Sequence, residues 1–191
     1  KINFDKNMYD IVELDAKGAV NFNSEEFKTL GSGEHLNLKV NLEEIRIDGL
    51  KSELFSDDFK MFSDGFIIVN NSNGKFFING PNSKLVNENI YIEAKSIEGI
   101  FSNNKDKKQI TYLNVVDDTI SYVKNNQSEM YAKKINFDNG NSIIELIDDV
   151  TIIRNGEKIT GDYGTLDTKN NSYKIKSYNQ TRVKAIIQNN E

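Results

Sequence analysis

Ser128-Glu129-Met130-Tyr131-Ala132-Lys133-Lys134-Ile135-Asn136-Phe137-Asp138-Asn139-Gly140-Asn141-Ser142-Ile143-Ile144-Glu145-Leu146 carries, in nineteen residues, the pattern that sets the fold. Apolar residues alternate with polar ones, as in a strand with one buried face. Met130 and Ala132 are even-numbered, whereas Ile135 and Phe137 are odd. A straight strand would put these pairs on opposite faces. One extra residue near Lys133-Lys134, a bulge or corner, returns them to the same side. Asp138-Asn139-Gly140-Asn141 then reverses the chain, because Asn and Gly tolerate the positive φ of a tight turn. Ile144, Leu146, Val150 and Ile152 resume the alternation.

The same grammar recurs along the chain. A small residue precedes two apolar positions three and five residues later. The copies are Gly33 with Leu36 and Leu38, Ser63 with Phe66 and Ile68, Ala94 with Ile97, Ala132 with Ile135 and Phe137, and Gly161 with Leu166. Gly99 and Gly164 stand where the pattern expects apolar residues. The small residues are 30, 31, 38 and 29 positions apart, so an insertion is expected within residues 105–127. Turn-forming clusters follow most copies: Asn70-Asn71-Ser72-Asn73-Gly74, Asn103-Asn104-Lys105-Asp106, Asp138 to Asn141, and Lys169-Asn170-Asn171. Repeats of about 30 residues indicate stacked units sharing one core. Lys1-Ile2-Asn3-Phe4-Asp5 repeats Lys134 to Asp138 residue for residue. The chain thus opens inside a unit, and a signal peptide or membrane anchor is expected to precede it.

The 191 residues carry a net charge of −5, 37% apolar and 28% charged residues, which fits one elongated folded domain rather than a disordered chain. No apolar run approaches the ~20 residues of a membrane-spanning helix. Lysines are dispersed and arginines are few (Arg46, Arg154, Arg182), which argues against a nucleic-acid partner. The absence of cysteine excludes a disulfide scaffold, thiolate chemistry and Cys-bound zinc.

Elsewhere, Phe66 to Val69 and Phe76 to Ile78 flank the Asn70–Gly74 cluster and read as a hairpin. Parity slips like that at Lys133-Lys134 are expected between Ala94 and Ile97 and between Ser63 and Phe66. Pro81 is expected at a strand end. Ser24-Glu25-Glu26-Phe27 could cap a single helical turn, and no longer helix is indicated. The fold expected is all-β: many short antiparallel strands joined by tight turns, in about six degenerate repeats whose corners fold the sheet over into a flattened roll.

Residues 128–186 resemble the OstA-like repeat of the lipopolysaccharide-transport family of LptA and LptC. The resemblance rests on Ala132 to Asp138, on Ile144, Leu146, Val150 and Ile152, on Gly156, on Ile159-Thr160-Gly161-Asp162, on Leu166-Asp167 and on Arg182 to Ala185. Asp148 stands where the family has Gly, and Lys133 replaces the Asp of one step that Asp162 keeps in the next. The family implies a twisted, open antiparallel β-jellyroll in the periplasm of a Gram-negative-type bacterium, one that joins edge to edge into a bridge between inner and outer membranes and shields lipopolysaccharide acyl chains in an apolar groove. It also implies partner jellyrolls, or further copies of the same chain. Both a soluble bridge and a membrane-anchored member fit.

Alternating strands supply the apolar lumen and polar exterior such a bridge needs. The candidate lumen residues are Leu36, Leu38, Phe66, Ile68, Phe76, Ile78, Ile92, Ile97, Met130, Ile135, Phe137, Ile144, Leu146, Val150, Ile152, Ile159, Leu166 and Ile175. The same set would serve a closed core, as in a structural β-solenoid or adhesin-like module, and sequence does not separate the two. Lys95, Lys133 and Lys134 are candidate rim cations for the lipid head, and Ile2–Phe4 and Arg182–Ile186 are candidate edge strands for docking. With His35 the only histidine, no His-based triad or His-rich metal site is available. The acid pairs Asp57-Asp58, Asp117-Asp118 and Asp148-Asp149 read as repeat elements rather than catalytic carboxylates. Neither an enzyme nor a cofactor is indicated.

Overall fold

A computed structural model describes residues 1–6, 11–25, 28–102, 108–170, 172–178 and 182–186. The turn cluster at 103–106, Asn171, and the Glu26-Phe27 part of the expected helical turn lie outside these residues. Fifteen strands form one sheet: β1 (Ile2–Phe4), β2 (Ile11–Ser24), β3 (Thr29–Lys39), β4 (Glu44–Asp48), β5 (Ser52–Ser56), β6 (Lys60–Ser63), β7 (Phe66–Asn70), β8 (Lys75–Val86), β9 (Ile90–Phe101), β10 (Ile110–Asn125), β11 (Glu129–Asp138), β12 (Ile143–Arg154), β13 (Glu157–Asp167), β14 (Ser172–Lys176) and β15 (Lys184–Ile186). The fold is an all-β jellyroll, and among the described residues the only helical element is a single 3-10 turn at Val40–Leu42.

Among the described residues every strand pairing is antiparallel, and each long strand bends at mid-length. The bends align into an apex that divides the sheet into two facing walls. The first wall holds residues 11–17, 35–39, β4, β7, 75–79, 96–101, 110–116, 134–138, 143–147, 163–167 and β14. The second holds residues 20–24, 29–32, β5, β6, 83–86, 90–94, 121–125, 129–132, 150–154, 157–161 and β15.

Two devices make the apex. On β9 and β11 the chain shifts parity by one, so Ala94 and Ile97, and likewise Ala132 and Ile135, all point inward, as the sequence pattern requires. On the neighbouring strand, extra residues take the outer side of the bend. Asp148 and Asp149 on β12 adopt φ of 61° and 55°, a left-handed conformation that Asp tolerates better than most residues. The long spacing in the repeat has the same origin. Val116 and Ser121 of β10 pair with Lys134 and Ala132, so the strand carries surplus residues at Asp117 to Ile120. Pro81 does not end a strand. It sits at the bend of β8 between Gly80 (φ 132°) and Asn82 (φ 57°), where the ladder is already interrupted.

The small residues of the repeat line the inside of the apex. Ser63, Ala94 and Ala132 are buried there together with Ser52, Ser83 and Ser121, and the Ser63 and Ser83 hydroxyls hydrogen-bond at 3.0 Å. The glycines that broke the pattern are filled from across the sheet. A Cβ on Gly99 would lie 2.3 Å from the Phe76 ring, and one on Gly164 would meet Val150 and Leu146. The apolar residue missing from position 99 is therefore supplied by a ring from the next strand.

Candidate functional site

The space between the walls is a trough lined by one continuous apolar cluster. Of the expected lumen residues, Leu36, Phe76, Ile78, Ile92, Ile97, Met130, Ile135, Ile144, Leu146, Val150, Ile152 and Leu166 are buried in it. Leu38, Phe137 and Ile175 pack half-buried against it, and Ile159 faces the same way opposite Ile152. Phe66 and Ile68 are corrections. Their strand turns Ile67 and Val69 inward and holds Phe66 and Ile68 on the outer face. The expected parity slip after Ser63 does not occur, because Asp64-Gly65 forms a separate turn between β6 and β7 and the inward step becomes four residues. Outside, the Phe66 ring meets Phe77 edge-on at 5.3 Å and carries the Arg46 guanidinium 4.6 Å above it. Arg46 in turn forks onto Asp48 at 2.6 and 2.9 Å.

The trough is not uniform. Through its middle the walls are in contact. Ile78, Leu85, Ile92, Ile97, Val115, Met130 and Leu146 are all 0% exposed. A cavity of about 20 Å³ is bounded by Ile45, Leu54, Phe59, Met61, Val69, Phe101 and the polar Thr29, Ser56, Asn71 and Lys108. At the N-terminal end the walls part into a cleft of about 320 Å³. Leu14, Ala16, Val20, Phe22, Leu36, Leu38 and Ile45 line it, with Asn21, Asn23 and Ser24 at its border. This size falls within the range of small-molecule sites, about 300–1,000 Å³. The half of β2 at residues 20–24 pairs with β3, whereas β1 pairs with the half at residues 11–14.

The residue pattern of LptA-type proteins matches this chain over residues 63–172, through the family described as LptA/(LptD N-terminal domain) LPS transport protein. That is more than half of the 191 residues. The chain belongs to this family. Among solved structures, the chain superposes on LptH of Pseudomonas aeruginosa, described as the LptA homologous periplasmic component of the conserved lipopolysaccharide transport device. The TM-score is 0.54 at 14% identity, over 69% of this chain and 95% of that one, a likeness of fold. No curated protein matches the chain by sequence. The open cleft is built mainly from β2 to β4 and so lies N-terminal to the residues matched by the family.

Charged groups sit on the outer face of this LptA-family sheet. Lys95 and Lys133 are not rim cations. They lie at the apex, opposite the opening, where Lys95 pairs with Asp118 and Lys133 with Asp149 at 3.0 Å. Each lysine's pKa is raised, first by the bond to its Asp. Lys134 precedes inward Ile135 and faces out. Asp117 ties its own bend by accepting from the backbone N–H groups of Thr119 and Ile120, and the two apical acid pairs are structural. Asp57-Asp58 lies at a wall tip instead, between β5 and β6.

His35 sits on the outer face of β3, half-exposed between two carboxylates: Nε2 is 2.8 Å from Asp15 and Nδ1 3.3 Å from Asp48. The bond to His35 holds the Asp15 carboxyl below its ordinary value. Tyr91, Tyr122 and Tyr131 form an outer ladder with ring centroids 5.8 and 4.8 Å apart. Burial, and then Glu93, push Tyr91 up to about 12. Glu145 accepts from Tyr163 at 2.7 Å and from Asn136 at 3.0 Å, bonds that hold its carboxyl below the usual range and push Tyr163 up to about 12. Among the described residues no group of three or more His, Asp or Glu side chains is placed to hold a metal, and no helix is long and apolar enough to cross a membrane.

Sequence reasoning missed the cleft residues on β2 and the inward set Ile45, Ile47, Leu54, Met61, Ile67, Val69, Leu85, Leu113, Val115 and Val123. The alternation of Ile45 with Ile47 and of Leu113 with Val115 was available as a signal. That of Leu14, Ala16, Val20 and Phe22 was diluted by Gly18 and by the charges of Asp15 and Lys17.

Proposed function

We propose that this chain carries lipopolysaccharide through the periplasm by sheltering its acyl chains between the two walls, without covalent chemistry, and that it joins other jellyrolls, or copies of itself, through its edge strands. The observation that carries this reading is the apolar cleft at the N-terminal end of an LptA-family sheet. Each acyl methylene moved from water to an apolar lining gains about 0.8 kcal/mol. A dozen are therefore worth about 10 kcal/mol, and only a continuous apolar surface can offer that. In the order of the sheet, β1 with β2 at one end and β14 with β15 at the other are the terminal strands, the edges at which strand addition would occur. As a single elongated domain, the chain would present the two ends of one trough to its neighbours.

The test is retention of purified lipopolysaccharide. The natural chain should co-elute with it, and Leu38→Glu, which puts a charge into the cleft, should not. Concentration-dependent association in light scattering should accompany this and weaken when Val20–Ser24 is interrupted by proline. The sealed middle favours a second reading, a structural module with a closed core. Failure of the natural chain to retain lipopolysaccharide at saturating concentration would favour that reading instead.

A further inference from the structure

The open cleft and the sealed middle meet at one residue, Ile45, which lines both the 320 Å³ cleft and the 20 Å³ cavity. What closes the trough just beyond Ile45 is a turn reaching across the seam. Residues 56–60 join β5 to β6 at the tip of the second wall, and the Phe59 ring stacks on Phe101, at the tip of the first wall, with centroids 3.9 Å apart and planes at 22°. Phe101 continues the stack onto Phe76 at 4.3 Å. The Lys108 backbone N–H donates across the same seam to the Asp58 carboxylate at 3.2 Å, and its ammonium donates to the Asn71 side-chain amide oxygen at 2.9 Å.

The turn itself is tightly held. The Ser56 N–H donates to the Phe59 carbonyl at 2.8 Å, and the Phe59 N–H donates to the Ser56 hydroxyl at 3.2 Å. The comparable turns at Asn87–Ile90, Asn125–Ser128 and Asn139–Ser142 bond within their own wall. A second crossing, Tyr173 to Glu157 at 3.3 Å, lies at the far end of the trough.

Resting on the transport reading above, we propose that the 56–60 turn is a clasp: lipid entering the N-terminal cleft advances along the trough only when Phe59 lifts from Phe101. The closed state encloses polar groups: the Asn71 Nδ2 group is buried and the Lys108 amine half-buried beside the small cavity, and burial holds that amine below its ordinary range. Lifting the turn would return both groups to water. An acyl chain arriving from the cleft would cover the apolar face of Phe101 that Phe59 leaves. The ligand thereby gains contacts in the open state that the closed state denies it, which is the condition for a ligand to shift such an equilibrium.

The experiment places a photoreactive benzoylphenylalanine either at Leu38, in the cleft, or at Phe137, beyond the clasp, and irradiates each with purified lipopolysaccharide. Phe59→Ala, and Phe59→Leu, which keeps an apolar group but loses the ring stack, should raise adducts at Phe137 several-fold and leave those at Leu38 unchanged. If Phe59→Ala does not fold, Phe59→Leu and Asp58→Asn carry the test. Adducts at Leu38 with equal labelling of Phe137 in every background would overturn the clasp and spare the transport reading. Absence of adducts at both positions in the natural background would overturn both.

Discussion

At the N-terminal end of the trough the walls stand apart, whereas in the middle they interdigitate, although both regions are built from the same repeat. The difference lies in what each strand offers inward. In the middle, each of the long strands β8 to β12 contributes a buried apolar side chain of valine size or larger to both walls, such as Ile78 and Leu85 on β8 or Leu146 and Ile152 on β12. At the N-terminal end, β2 offers Ala16 beside its bend where β8 and β12 offer Ile78 and Leu146, and among the described residues β1 pairs only with the half of β2 at residues 11–14. A jellyroll of one pattern can thus be a core in one place and a receptacle in another, according to side-chain volume and whether a neighbouring strand follows.

The largest expected effect sets Phe76 against Phe66. Phe76→Ala removes a buried ring that stacks on Phe101 and fills the space above Gly99, and should destabilise the fold by about 3–5 kcal/mol in urea titration. Phe66→Ala, on the outer face, should cost about 1 kcal/mol, mostly through Arg46. Equal costs would undo the assignment of faces. Next, Ile78→Ala in the sealed middle should cost about 2–5 kcal/mol. The same truncation of half-buried Leu38 in the cleft should cost clearly less, since no tight cavity is created. Similar values would mean the cleft is closed in solution.

Gly99→Val should destabilise by about 1–3 kcal/mol through overlap with the Phe76 ring. Combining it with Phe76→Ala should recover part of that loss. The smallest effect concerns pH and the outer face. Glu145 titrates below its ordinary value of 4.5 in the fold, so its contribution is present above that value and disappears as pH falls through the lowered one. Tyr163 titrates at about 12 instead of 10, so stability is undiminished below 10 and falls as pH climbs from there towards 12. Glu145→Gln should flatten the acid limb and reduce part of the alkaline one, seen as a smaller change in thermal midpoint with pH.

Much of the fold was legible in the chain because period-two alternation and Asn-Gly turns act locally. The hairpins at Asn70–Gly74 and Asp138–Asn141 formed where those residues placed them, and the parity change at Ala132 to Ile135 became a bend. The site was legible in part. Sixteen of the eighteen expected lumen residues face inward, and the two exceptions, Phe66 and Ile68, trace to a single turn whose length fixed their parity. The lysines at the apex were misplaced for a related reason: which side of a bent sheet a charge reaches depends on the direction of the bend.

The sequence by itself determined that the chain is a repeated antiparallel ribbon with small residues at each bend, because steric and periodic constraints reach only a few residues along the chain. Only the tertiary structure decided which stretch of the ribbon is shut and which is open. That depends on rings such as Phe59 and Phe101 meeting across a seam from positions 42 residues apart, and no local pattern encodes such a meeting.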